Sequence, residues 1–332
     1  MLSMFRCTRR LASGLMALAA LLPSTAALAQ ASAQSYPNRA IKFVVPYPAG
    51  GSTDIIGRML ANRLSEAWGQ PVVVENRTGA SGIIGNDFVA KSPADGYTVL
   101  IGITAMIQSA YTHAKLPYDP FKDFAPVAEL ARSSDLFVVA ASVPANNLKE
   151  FVALARANPK AYNFGSYGNA TSSHIHGEMF NLQAGLELAH VPYKGAAPMI
   201  NDLFGGQINT AFVDVGSARS HLASGRFKVL ALTGTQRFKF LPEVPTFGEA
   251  GYPGFEPNGW FGMLLPAATP GDIVKKLSAE VARIVRRPDV AARLNDMGLI
   301  AVGSSPEEFA AMIKADAPEW GKVIKGAKIK IE

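Results

Sequence analysis

An α/β fold divided between two domains is what this sequence predicts, on three observations. Short apolar runs of strand length alternate with helical patterns along most of the chain, as in sheets covered by helices. A unit of strand, small-residue turn and helix start appears twice, in VVPYPAGGSTD from Val44 and in FGSYGNATSSH from Phe164, with the two helix starts roughly 120 residues apart. The 332 residues, 48% apolar and 17% charged, exceed one average domain and suffice for large cores.

The first 29 residues belong to another category. Arg6, Arg9 and Arg10 form a basic start, Leu11 to Leu22 is nearly all apolar, and Ala27-Leu28-Ala29 supplies a small-x-small cleavage pattern. A secretory signal peptide is expected, cut after Ala29, with Ala31-Ser32-Ala33 as a second candidate. Cys7, the only cysteine, leaves with it, so disulfides, cysteine nucleophiles and thiolate metal sites are not expected in the mature chain. Removing the three arginines lowers the formal charge from +6 to +3. No Lys/Arg block in the remainder points to nucleic acid.

Taken in order, Ile41 to Val45 reads as a buried strand that Pro46 and Pro48 end. Gly50 and Gly51 allow a close turn, and Ser52 or Thr53 can cap the helix that follows. That helix places Ile55, Ile56, Met59, Leu60 and Leu64 on one face and stops at Gly69. Pro71 to Glu75 and Tyr97 to Ile103 read as strands, with a glycine-rich loop from Asn76 and a helix to Ala90 between them. The alternation predicts a largely parallel sheet, with ligands at the carboxyl ends of its strands.

After the Pro-punctuated connector LPYDPFKDF, Asp135 to Ser142 is a strand and Leu148 to Asn158 a helix. Tyr162 to Ser166 is a strand, YGNATSS a turn with Ser172 or Ser173 as cap, and Ile175, Met179 and Leu182 an apolar helix stripe. Strands Leu188 to Val191 and Ile208 to Val213 flank a short helix, and Asp214 ends the second. Val229 to Thr233 and Trp260 to Leu265 are further strands, and the chain is helical from Pro270 onward.

Several chemistries fail on their motifs. Neither G-x-G-x-x-G after a strand nor G-x-x-x-x-G-K-[ST] occurs, and no serine has the flanking glycines of a nucleophile elbow. His174, His176 and Glu178 do not make a metal set, because a helix turns His176 roughly 200 degrees from His174 and no third ligand follows. His174 is expected in the first helical turn beside a cleft, and His176 as a surface or packing residue. Lys194 and Arg219 are either cleft cations or solvated charges. Asp214 is either a ligand contact or a turn residue. What remains is the helix start itself, whose unpaired N–H groups and dipole suit a carboxylate or phosphate. Asp54 counts slightly against an anion there, since its own charge already complements the dipole.

The blocks YPNRAIKFVVPYPAGGSTD, VVVENRTGASGIIG, NFGSYGNATSSHIHGEMF, VPYKGAAPMINDLFGGQI and LPEVPTFGEAGYPGFEPNGWFG, in this order, resemble the receptor family of tripartite tricarboxylate transporters, the Bug-type periplasmic solute-binding proteins. The likeness runs from Tyr36 to about Ala317. It implies a type II periplasmic binding protein, with two α/β lobes joined by a two-segment hinge and the ligand in the interdomain cleft. Lobe 1 would comprise 36–133 and 255–332, and lobe 2 134–254.

The resemblance also implies a ligand carboxylate held between Tyr47, Ala49, Gly50, Gly51, Ser52, Thr53 and Asp54 on one side and Gly168, Ala170, Thr171, Ser172 and His174 on the other. Thr104 and Met106 would lie on a further cleft loop, and Asp214 near the distal end of the ligand. Asn169-Ala170-Thr171 departs from the more glycine- and serine-like run expected there. The function implied is capture of a small mono- or dicarboxylate in the periplasm and delivery to membrane transporter subunits. A sensor protein is the alternative partner, and an exported enzyme acting on a carboxylate the rival class. No cofactor, metal, nucleic acid or catalytic residue is expected, and a monomer is.

Overall fold

Strand-forming runs that follow one another without a helix between them carry the chain from one sheet to a second. The computed structural model describes residues 36–255, 259–327 and 329. The leader and cleavage motif read in residues 1–29 lie outside them. In the first lobe β1 (Ile41–Val45), β2 (Val72–Asn76), β3 (Thr98–Ile103), β4 (Phe124–Ser133), β10 (Gly259–Pro266) and β11 (Ile300–Ala301) form one sheet in the order β11-β4-β10-β3-β1-β2. In the second, β5 (Asp135–Ala140), β6 (Asn163–Ser166), β7 (Ala189–Pro192), β8 (Thr210–Asp214) and β9 (Phe227–Leu232) form another in the order β7-β6-β8-β5-β9.

Both sheets are mixed, where the sequence predicts largely parallel ones. β1 pairs in parallel with β2 and β3, and β6 with β7 and β8. β10 runs antiparallel to β3 and β4, and β5 to β8 and β9. β4 leads through Ser134 into β5 and β10 enters from the other lobe, so neither β5 nor β10 is reached by the helical crossover that keeps successive strands parallel.

The helices of the first lobe are α1 (Ser52–Trp68), α2 (Ile83–Ala90), α3 (Ala105–Thr112), α8 (Gly271–Val285), α9 (Pro288–Asp296) and α10 (Pro306–Gly326). Those of the second are α4 (Leu148–Ala157), α5 (Ser172–Ala184), α6 (Ala196–Gly205) and α7 (Val215–Ala218). α1 buries Ile56, Leu60 and Leu64 against the sheet and stops where Gly69 turns left-handed (φ 62°), its N–H reaching Ser65 O at 3.0 Å. α10 opens on a capping box, Ser305 with Glu308. Among the described residues no helix is long and apolar enough to cross a membrane.

Phe137 centres the second core, its ring 5.0–5.2 Å from those of Phe151, Phe180 and Phe212. Each fully buried ring contributes about 1.5–3 kcal/mol. α5 lies so close to β6 that a Cβ on Gly177 would sit 2.0 Å from the Phe164 ring. That proximity aims the start of α5 at the first lobe.

Candidate functional site

Loops at the strand ends of both sheets converge on a cavity of about 50 Å³ between the lobes. Five helices begin at its wall: α1 at Gly51, α3 at Thr104, α5 at Ser172, α6 at Gly195 and α7 at Asp214. The first four have no side-chain cap. Apart from Ser52 N, which donates to Ser217 Oγ, their leading N–H groups, with the positive ends of their dipoles, are therefore available to an anion. No Lys or Arg lines this cavity among the described residues. Positive charge at this wall is offered by helix starts, not by cationic side chains, while Asp135 and Asp214 add negative charge.

The two expected loops are built differently. At α1 the cap is Gly51, not Ser52 or Thr53. The Ser52 hydroxyl crosses the cleft to donate to Asp214 Oδ1, and Ser52 N donates to Ser217 Oγ at 3.3 Å. Asp54 faces away from the cavity, accepting from Gly50 N (3.1 Å), Arg58 Nε (3.0 Å) and Asn76 Nδ2 (2.9 Å). Burial alone would raise its carboxyl, but these bonds outweigh it and hold the group below the usual carboxylate range. The objection that Asp54 competes for the helix dipole loses force, because Asp54 spends its charge bracing the loop.

At α5 the cap is Thr171, and its hydroxyl turns back to donate to Gly168 O at 2.7 Å. Ser173 Oγ accepts from Tyr167 N at 3.0 Å, and His174 Nδ1 accepts from Ala170 N at 3.0 Å, supporting a left-handed Ala170 (φ 58°). Of residues 168–174 only Ser172 lines the cavity, and it accepts from Gln108 Nε2 of the first lobe at 2.9 Å.

Of the residues expected at the site, Tyr47, Gly51, Ser52, Thr53, Thr104, Ser172 and Asp214 line the cavity. Ala49 and Gly50 are exposed at the mouth. Gly168, Ala170, Thr171 and His174 form the buried turn behind the wall. Met106 is 1% exposed, packed into the core by the first turn of α3, and does not line the cavity. Arg219 stacks on Phe240 with Cζ 4.2 Å from the ring centroid, away from the cavity. Lys194 lines an outer chamber of about 190 Å³ at the mouth, beside the loop Thr78–Gly82. Tyr47 and Tyr167 belong to both walls.

Sequence reasoning missed Asp135, Tyr167, Ser217 and the Gly195–Ala197 start of α6, all part of the cavity wall. An acidic residue opening an otherwise apolar strand was the available signal for Asp135. Its carboxylate accepts from His176 Nδ1 at 2.9 Å and from the Tyr167 hydroxyl at 3.2 Å. His176 is thus 1% exposed and hydrogen-bonded, a packing residue and not a surface one.

His174, Glu178 and His190 bring three ligand atoms within 4.8 Å of one another, a set hidden in the sequence because His190 comes from β7. The two imidazoles stack at 3.9 Å and 6°. His174 Nδ1 already accepts an N–H, which leaves the proton on Nε2. Parallel rings with that tautomer do not converge their lone pairs on an ion. Burial pushes His174 down to about 4, and burial with the neighbouring His174 pushes His190 down to about 3.

Two α/β lobes with uncapped helix starts facing a shared cavity define a two-lobe solute-binding protein. Residues 56–329 match the family described as tripartite tricarboxylate transporter family receptor. The chain belongs to that family. It is 37% identical over 317 residues, 95% of this chain and 93% of the other, to the UPF0065 protein in the tcbD-tcbE intergenic region of Pseudomonas sp. (strain P51). Among solved structures, Rpa4515 of R. palustris with adipate is 35% identical with a TM-score of 0.86, covering 89% of this chain and 99% of its own. The periplasmic binding protein BugD is 32% identical, also with a TM-score of 0.86, covering 90% and 100%.

Proposed function

We propose that this protein captures a small carboxylic acid between its lobes in the periplasm and presents it to the membrane subunits of a tripartite transporter. The observation that carries this reading is the convergence of four uncapped helix starts, α1 and α3 from one lobe and α5 and α6 from the other, on one cavity. The adipate in the structure of Rpa4515 supports the class of ligand. Hydrogen bonds to a charged group contribute about 1.5–3 kcal/mol each. Three or four, less the ordering cost, reach about −8 kcal/mol, near micromolar affinity. Because the donors are divided between the lobes, only the closed form makes all of them, and the acid shifts the lobe equilibrium toward closure.

The test is titration calorimetry with a panel of short carboxylic acids on the wild type and on Ser52→Asp, which sets a second negative charge beside Asp214 at the start of α1. At least one acid should bind near micromolar, and the variant should lose about 100-fold or more. Equal affinity in the variant would sink the assigned site. Uptake of that acid should also fall to background in cells lacking the cognate membrane subunits, and persistence of uptake would sink the delivery step.

A further inference from the structure

The cavity that receives an anion at its helix starts is itself acidic. Asp135 and Asp214 are directly opposed in the β5–β8 ladder, and both side chains line the cavity. Asp135 is 4% exposed, held by His176 and Tyr167. Asp214 accepts from Ser52 Oγ and from Ser217 N (3.0 Å), both on Oδ1, and lines the cavity beside Asp135. Burial raises the Asp214 carboxyl above the usual range against those bonds, and the neighbouring Asp135 adds to the rise. No Lys or Arg of the described residues reaches this wall. A second ionised carboxylate placed here would face two like charges in a partly desolvated space, whereas an ammonium or hydroxyl would meet acceptors already oriented.

Building on the receptor reading above, we propose that Asp135, set opposite Asp214, makes this wall a subsite for a hydrogen-bond donor. The acid this protein selects carries an ammonium or a hydroxyl as its second polar group, not a second ionised carboxylate. One end of the ligand is held by backbone N–H groups, and the other by the paired aspartates.

Two matched series test this by titration calorimetry at neutral pH: alanine, lactate and malonate, and γ-aminobutyrate, γ-hydroxybutyrate and succinate. In at least one series the order of affinity should be ammonium, then hydroxyl, then carboxylate, with about tenfold or more between the ends. Asp135→Asn should reduce the ammonium-to-carboxylate ratio by about threefold or more. Asp214→Asn, which keeps an acceptor for Ser52 and Ser217, should do the same and stands in should the first variant not fold. A diacid that binds as tightly as its amino counterpart in both series overturns the proposal, as does a preference that survives both substitutions. Binding of none of the six acids overturns the receptor reading as well, which separates the two failures.

Discussion

The starts of α1 and α5 are made of the same small residues, yet they are held by opposite means. At α1 the Ser52 hydroxyl and amide go to Asp214 and Ser217 of the other lobe, while a buried carboxylate, Asp54, fixes the loop behind. At α5 the hydroxyls of Thr171 and Ser173 and the ring of His174 are spent inside their own turn, and one serine faces across. One start is a contact between lobes and the other a self-braced shelf. A hydroxyl-rich loop therefore predicts an anion site through its backbone, and says little about which hydroxyls reach the cleft.

The largest effect is expected where the lobes meet. A Cβ on Gly216 would lie 2.5 Å from Ser52 Oγ and 3.2 Å from Leu299 Cδ2. Overpacking of this kind costs about 1–3 kcal/mol, here charged to closure. Gly216→Ala should weaken acid binding by about thirtyfold and enlarge the radius of gyration of the acid-saturated protein in solution scattering. Unchanged values for both would remove the α1 start from the closing interface.

Asp54→Asn should follow, with about tenfold weaker binding and a loss of about 1 kcal/mol of stability at neutral pH, the cost of leaving part-exposed donors without their carboxylate. The pH dependence has a definite sign. A carboxyl whose folded pKa is lowered stabilises fully above its ordinary value, and that stability is lost as pH falls through the folded value. Urea midpoints of wild type and variant should differ at neutral pH and draw together as pH falls from the ordinary carboxylate range through the lowered folded value. A gap that persists in acid would mean that Asp54 acts by packing, not by charge.

The smallest effect on binding belongs to the shelf. Thr171→Val keeps the shape and deletes the bond to Gly168 O, so stability should fall by about 1 kcal/mol while affinity stays within about threefold. If this variant cost as much affinity as Gly216→Ala, the contrast between the two starts would be broken.

The strand and helix succession was legible because apolar periodicity and Gly/Pro punctuation act locally, as from β1 into α1 and from β6 into α5. Strand direction was not, because the passage from β4 into β5 and the antiparallel setting of β10 depend on which sheet the chain joins next. Asp135 and Tyr167 went unseen for a related reason: Asp135 enters the cavity through pairing with β8 and Tyr167 lies on it through its bond to Asp135, which residue type alone does not disclose. Met106 was misplaced by the same loss of information. The helix that begins at Ala105 turns the Met106 side chain into the core two residues after Thr104 reaches the wall.

The hydrogen bonds from Ser52 to Asp214 and from Gln108 to Ser172 join the lobes through side chains of the protein itself. Their consequence is kinetic. A receptor whose lobes adhere through their own side chains must part before it can load, and its apparent affinity scales with the fraction of molecules competent to bind. In stopped-flow mixing the observed loading rate should rise with acid concentration and then level off at the rate of opening, well short of the diffusion limit. Asp214→Ala, which removes the acceptor for Ser52, should raise that plateau, making this side chain a brake on the speed of capture.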